Sequence, residues 1–201
     1  RPEQGVFEFQ AGPLFPNLVL ADEINRAPAK VQPALLEAMA ERQISVGKKS
    51  YPLPDLFLVM ATQNPIEQEG TYPLPEAQMD RFLMHVMVDY PTPDSEKTIL
   101  QLSRAEATGE QSSDFEIVSQ KTIMDARKQV LAVHMDQRVE EYLVQIILAT
   151  RNTQAYGGDL ANWLDYGASP RATIALDRCS RAVAWLDGRD FVTPDDIRAV
   201  A

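Results

Sequence analysis

Apolar and polar positions along the chain fall into two regimes. Up to about residue 91, short unbroken apolar runs alternate with stretches of helical period; beyond it the helical period continues alone. "NLVLAD" and "LFLVMATQN" have strand length and almost no polar interruption, the pattern of parallel strands buried on both faces. Between them, "APAKVQPALLEAMAE" sets Val31, Leu35, Ala38 and Met39 at helical spacing, giving strand, helix, strand. "RQISVGKKSYPLP" then alternates Ile44 and Val46 with polar residues, turns at Gly47-Lys48 and resumes at Tyr51 and Leu53, which predicts a β-hairpin. A third apolar run, "RFLMHVMVDY" from Arg81 to Tyr90, predicts a further buried strand, stopped by Pro91-Thr92-Pro93. Met79, Met84 and Met87 read as core filling, and His85 as a core or strand-end histidine.

The prolines divide the chain into a region 1–91 and a helical region 92–201. In the second, Asp94 or Ser95 is placed to cap a helix carrying Ile99 and Leu102. Asp136 is placed to cap one carrying Val139, Leu143, Ile146 and Ile147, with His134 near that cap. Ser169-Pro170 opens a helix with Leu176, Cys179, Val183 and Leu186, and Thr193-Pro194 opens a last one with Asp195 and Asp196 in its first turn. "ATGEQSSD", residues 107–114, reads as a polar connector. "QAYGGDLANWLDYG" reads as a loop in which Trp163 and Tyr166 could pack one region on the other.

Composition narrows the function classes. The net charge of -10 is shared evenly: residues 1–91 hold 7 basic and 12 acidic side chains, residues 92–201 hold 12 and 17, so each region carries -5. Neither region offers the Lys/Arg footprint that nucleic-acid binding needs, nor the basic face of a membrane-surface helix. One cysteine excludes an intrachain disulfide, and two histidines are too few for a familiar zinc cluster. With no apolar run of about 18 residues and no leading basic-plus-apolar segment, the expectation is a cytoplasmic protein without a membrane partner.

The candidate chemistry sits at the ends of the apolar runs. Asp22 and Glu23 close the first one, where an open α/β sheet binds its ligands; an Asp there can hold the water shell of Mg²⁺ and a Glu beside it can activate water. The same pair also reads as a strand end followed by an acidic helix start. Asn64 would lie beside Asp22 if the two strands are neighbours, and Asn-Pro is equally a turn dipeptide. Arg81 could stabilise a transferring phosphoryl group or pair with Glu76 or Asp80. Arg171 stands in the first turn of a helix, where anions are attracted, and is otherwise an ordinary solvated arginine.

Taken in order, "FPNLVLADEINRAPAKVQPALLEAMAERQISV", "FLVMATQNPIEQEGTYPLPEAQMDRF" and "GASPRATIAL" resemble the MoxR family of AAA+ ATPases over nearly the whole chain. The resemblance implies an α/β fold: a truncated AAA+ core over residues 1–91, with a parallel sheet and a hairpin insert from Gln43 to Leu53, followed by an all-α lid domain over residues 92–201. It implies ATP and Mg²⁺ as cofactors. Asp22 matches the Walker B metal ligand acting through water, Glu23 the catalytic base, Asn64 sensor 1, Arg81 the arginine finger reaching a neighbouring subunit, and Arg171 sensor 2. It further implies a homo-oligomeric ring, a hexamer, that remodels or matures other proteins, with protein substrates or von Willebrand factor A domain partners.

One motif departs from the family. A G-x-x-x-x-G-K-[ST] string does not occur in the 201 residues: in "VGKKS" the first glycine position is Arg42 and the hydroxyl position is Lys49. The expectation is therefore that this stretch of sequence retains hydrolytic and sensing groups, lacks the main phosphate grip, and is inactive by itself. A non-catalytic ring or adaptor is the alternative from another class, and a DNA-acting AAA+ motor is a second one that the acidic balance disfavours.

Overall fold

The structure is a computed structural model that describes residues 12–28, 31–64, 71–72, 74–109 and 116–201. Two strands meet in parallel, β1 (Leu18–Ala21) and β4 (Leu58–Ala61), with Leu18 opposite Leu58 and Ala21 opposite Ala61. Between them in sequence come α1 (Val31–Glu41) and an antiparallel hairpin of β2 (Gln43–Val46) and β3 (Lys49–Pro52). Gly47, the first residue of the two-residue hairpin turn, has φ +65°, a conformation that glycine adopts without a Cβ penalty.

β1 and β4 pack Ala21, Val59 and Ala61 against a small core of Ile24, Leu35 and Leu74, of which Leu35 belongs to α1. Their other face carries Leu18, Leu20, Leu58 and Met60, each more than half exposed. The expectation of strands buried on both faces thus holds on one face alone among the described residues. The hairpin closes a second cluster of Ala38, Ile44 and Leu53, with Phe15 edge-on to Tyr51. Arg42, just past the end of α1, takes φ +51°; its backbone N–H bonds the Ala38 carbonyl and its guanidinium the Asp55 carbonyl.

The run Arg81–Tyr90 does not form the third buried strand that its apolarity predicts. A short α2 (Glu76–Met79) passes through a turn at Asp80 and Arg81, and residues 84–90 follow without ladder bonds to any described residue. Met79, Met84 and Met87 are 47%, 54% and 81% exposed, and His85 is exposed too, so none fills the core. The reason is that a strand exists only as one member of a pair; an apolar run supplies the propensity and not the partner.

Helices make up the rest: α3 (Pro93–Ala107), α4 (Gln120–Ala132), α5 (Gln137–Arg151), α6 (Leu160–Trp163), α7 (Pro170–Leu186) and α8 (Pro194–Val200). The cap of α3 is Thr92, whose hydroxyl accepts from the Ser95 N–H, rather than Asp94 or Ser95. α3 buries none of its side chains, Ile99 and Leu102 included. The connector predicted at 107–114 lies mostly outside the described residues. Trp163 and Tyr166 are 77% and 68% exposed and do not fasten the helices to the sheet. No described helix is long and apolar enough to cross a membrane.

The helical core joins Val133, Leu143, Ile147, Leu176, Ala184, Val192 and Ile197 from α5, α7, α8 and their connections. Leu186, expected on this face, is 75% exposed at the end of α7. His134 lies just before α5 as expected; its N–H bonds the Asp190 carbonyl and its carbonyl accepts from the Val192 N–H, which ties the start of α5 to the segment before α8.

Two carboxylates secure this region. Asp196, nearly fully buried, accepts two bonds from the Arg189 guanidinium, at 2.6 and 2.8 Å, and others from the backbone and hydroxyl of Thr193 at 2.7 and 2.9 Å. The Arg189 guanidinium, first, and the Thr193 donors hold its carboxyl at about 2. Asp80 performs the second task across the regions. It accepts a hydrogen bond from the Ser169 hydroxyl and pairs with Arg171 at 2.8 Å, and these two contacts, in that order, hold its carboxyl below the usual range.

Both groups have depressed folded-state values, so their stabilisation is present above the unfolded carboxylate value of about 3.9 and is lost as pH falls through the folded one. Asp196→Asn should cost about 2 kcal/mol at pH about 7, a difference that closes between about pH 4 and 2 in urea denaturation. Asp80→Asn should lower the urea midpoint at neutral pH and converge with the wild type below about pH 4. A difference that instead grew with acid would contradict the assignment of either carboxylate.

Candidate functional site

The in-register pairing of β1 and β4 sends both chains out of the sheet at the same end, Asp22 following Ala21 and Thr62 following Ala61. One more bond of the ladder, Thr62 N–H to the Ala21 carbonyl at 3.1 Å, keeps them together beyond the strands. The Thr62 hydroxyl donates to Asp22 Oδ1 at 2.5 Å and accepts from the Glu23 N–H at 2.9 Å. The Thr62 carbonyl then accepts from the Ile24 N–H at 3.0 Å. Four successive residues, Ala21 to Ile24, are each bonded to Thr62.

Glu23 departs from the strand abruptly, with φ 47° and ψ 52°, and starts a short 3-10 turn over Ile24–Arg26. For a residue other than glycine, this left-handed conformation costs roughly 1 to 2 kcal/mol. It explains how two adjacent residues both leave the alternation of a strand. The Glu23 carboxylate meets Arg26 at 3.2 Å, with both side chains about two-fifths exposed. Behind the turn, the buried Gln32 of α1 donates to the carbonyls of Ile24 and Tyr72, both at 3.3 Å, and Tyr72 N–H bonds the Asn25 carbonyl at 2.6 Å. The acid turn is thus gripped by β4 on one side and α1 on the other.

Asn64 stands two residues past Thr62, in the segment that leaves β4, and is half-buried. The residue opposite Asp22 is Thr62, which the sequence reading passed over. Its signal was available: if the apolar runs "LVLA" and "LVMA" align in parallel, the next residue of each faces the other.

The two arginines form a separate cluster. Arg81 reaches the Leu36 carbonyl on α1 at 3.5 Å. Its neighbour Asp80 holds Arg171, so the structure gathers Arg81, Asp80, Ser169 and Arg171 where the core meets the helices. Of the ion-pair partners expected for Arg81, Glu76 or Asp80, the latter pairs with Arg171, while Arg81 adds a weaker electrostatic pull on the same carboxylate. Ser169 caps α7 by accepting from the Arg171 N–H at 3.0 Å. The approach to that cap is rigid: Ala168 bonds the Thr150 hydroxyl at 2.9 Å and Arg151 Nε at 2.7 Å. A Cβ on Gly167 would come within 3.0 Å of Arg151 Cα, so glycine is required for this close approach to α5.

The donor set at the acid turn suits a hard divalent cation. Mg²⁺ keeps several waters and takes one or two protein carboxylates plus phosphate oxygens, and Asp22 is an exposed carboxylate with one oxygen engaged by a hydroxyl. Among the described residues, no three of His, Cys, Asp and Glu gather into an all-protein metal cage.

Comparison with known proteins identifies the architecture. The family model for "ATPase family associated with various cellular activities (AAA)" matches residues 1–84, and a model for the AAA lid domain matches residues 161–201. Chaperone MoxR1 of Mycobacterium tuberculosis is 44% identical over 95% of this chain and 50% of its own length. The uncharacterized protein YeaC of Bacillus subtilis is 42% identical over 97% and 58%. This chain therefore spans about half the length of the curated relatives it matches. A crystal structure of a candidate ATPase from Cytophaga hutchinsonii superposes with a TM-score of 0.84 at 43% identity, covering 99% of this chain and 60% of that one. With its parallel strand pair, hairpin, helical lid and these relatives, the chain belongs to the MoxR family of AAA+ ATPases.

Proposed function

We propose that the whole protein to which this chain belongs is a Mg²⁺-dependent ATP hydrolase, and that it works as a chaperone-like remodelling or maturation factor. The observation that carries the reading is the acid turn. Two carboxylates, a hydroxyl and an amide leave neighbouring parallel strands at one end of a sheet, the place where such sheets bind their ligands.

In this mechanism Asp22 would hold, through water, the cation that accompanies the nucleotide, and Mg²⁺ there would supply positive charge to offset that of the phosphates. Glu23 orients and deprotonates the attacking water once its carboxylate leaves Arg26, an exposed pair whose small net energy makes release easy. Asn64 positions that water or a phosphate oxygen. Arg171 reports nucleotide state to the helical lid, and its bond to Asp80 is the contact through which lid and core sense each other.

Arg81 acts as a finger on the nucleotide of a neighbouring subunit, which requires a homo-oligomeric ring; by resemblance to the family we propose a hexamer. Its clustering with Arg171 on the core-to-lid junction, apart from the acid turn, supports a role across a subunit boundary. By the same resemblance, its partners are protein substrates or proteins with von Willebrand factor A domains. The printed name of the Mycobacterium tuberculosis relative, a chaperone, agrees with that class.

The test is Glu23→Gln in the whole protein. ATP binding should persist with affinity within about threefold of wild type while turnover falls by about 10²-fold or more, measured by a fluorescent nucleotide titration and by phosphate release. Undiminished hydrolysis would remove Glu23 from the reaction.

A further inference from the structure

The acid turn contains one group whose role neither the resemblance nor the preceding mechanism assigns. Thr62 bonds Ala21, Asp22, Glu23 and Ile24 in succession, twice through its backbone and twice through its hydroxyl. We propose that Thr62 is a positioning residue for nucleotide hydrolysis: its hydroxyl sets the mutual geometry of Asp22 and Glu23. The inference rests on the hydrolase reading above.

The chemistry of the position is selective. Here one oxygen donates to the Asp22 carboxylate and accepts from the Glu23 N–H, which a hydroxyl can do at a single atom and an aliphatic side chain cannot. Donating to Oδ1 fixes the rotation of the Asp22 carboxylate and leaves its second oxygen for the water of a hydrated cation. Accepting from Glu23 supports a residue held in the left-handed region, and so decides where its carboxylate leaves the chain. Groups that orient a metal's immediate ligands typically alter metal affinity or activity by about 10- to 100-fold when removed.

The geometry also separates positioning from folding. Removing the hydroxyl leaves the two backbone bonds, Thr62 N–H to Ala21 and Ile24 N–H to Thr62, so β1 and β4 stay paired. Thr62 and Asp22 are both exposed, so the N–H and carboxylate that lose their partner are hydrated instead of stranded.

Four variants of the whole protein decide the matter: Thr62→Val, Thr62→Ala, Thr62→Ser and Glu23→Gln. The readouts are affinity for a fluorescent ATP analogue at increasing Mg²⁺, affinity without metal, turnover, and thermal melting. Thr62→Val and Thr62→Ala should each raise the Mg²⁺ concentration for half-maximal binding about tenfold and lower kcat at least as much, with metal-free affinity unchanged. Thr62→Ser should stay within about twofold of wild type on both. Wild-type Mg²⁺ dependence in the two hydroxyl-free variants overturns the proposal. So does a serine variant as impaired as valine, or a lowered melting temperature as the one change, which would make the contact purely structural. If Glu23→Gln abolishes turnover and Thr62→Val does nothing, the Thr62 role alone is lost; if the wild type itself shows no turnover, the hydrolase reading is lost and the Thr62 role goes with it.

Discussion

The parallel register between Leu18–Ala21 and Leu58–Ala61 is the constraint on which the rest depends. A slip of one residue would reverse the face of every side chain on one strand, turning Val59 and Ala61 away from Ile24 and Leu35. It would also move Thr62 off Asp22. The same register that buries one face of the strand pair therefore brings an acid pair and a hydroxyl together from positions 40 residues apart. Packing energy is spent on α1 and the strands, and the site is placed as a consequence.

A second constraint operates between the core and the helices. Asp80, one residue before Arg81, accepts from Ser169 and pairs with Arg171, so one carboxylate sets the first turn of α7 against the end of α2. Behind that turn, Gly167 presses on α5 and Ala168 is bonded to Thr150 and Arg151. Arg171 is consequently carried on a braced helix start. Any motion of the lid that moves Arg171 must break or carry along the Asp80 contact next to Arg81, which makes the two arginines mechanically related in one subunit.

Much of the fold was legible in the amino-acid pattern. Unbroken apolar runs marked β1 and β4, alternation around Gly47 marked the hairpin, and Asp136, Ser169 and Thr193 marked three helix starts. The elements that escaped share a physical feature: they depend on partners that periodicity does not encode. Arg81–Tyr90 has the composition of a strand, and no described residue pairs with it. Met84, Met87, Trp163 and Tyr166 are apolar enough for a core and lie where nothing described covers them. In the site, Asp22 and Glu23 stood out by charge and Arg81 and Arg171 by chemistry. Thr62 did not, because a hydroxyl acquires meaning from what it faces. The link between Arg171 and Asp80 was hidden for the same reason, its partners being 91 residues apart.

The central claim is that the end of the β1–β4 pair is a cation-assisted nucleotide site organised around Asp22. The most direct measurement is the electron paramagnetic resonance of Mn²⁺, used as a reporter for Mg²⁺, bound to the whole protein with ADP, compared between wild type and Asp22→Asn. The account predicts a protein-and-nucleotide-dependent Mn²⁺ signal in the wild type that is lost, or needs about tenfold more metal, in the variant. An identical signal at identical metal concentration in both would place the cation elsewhere and contradict the account.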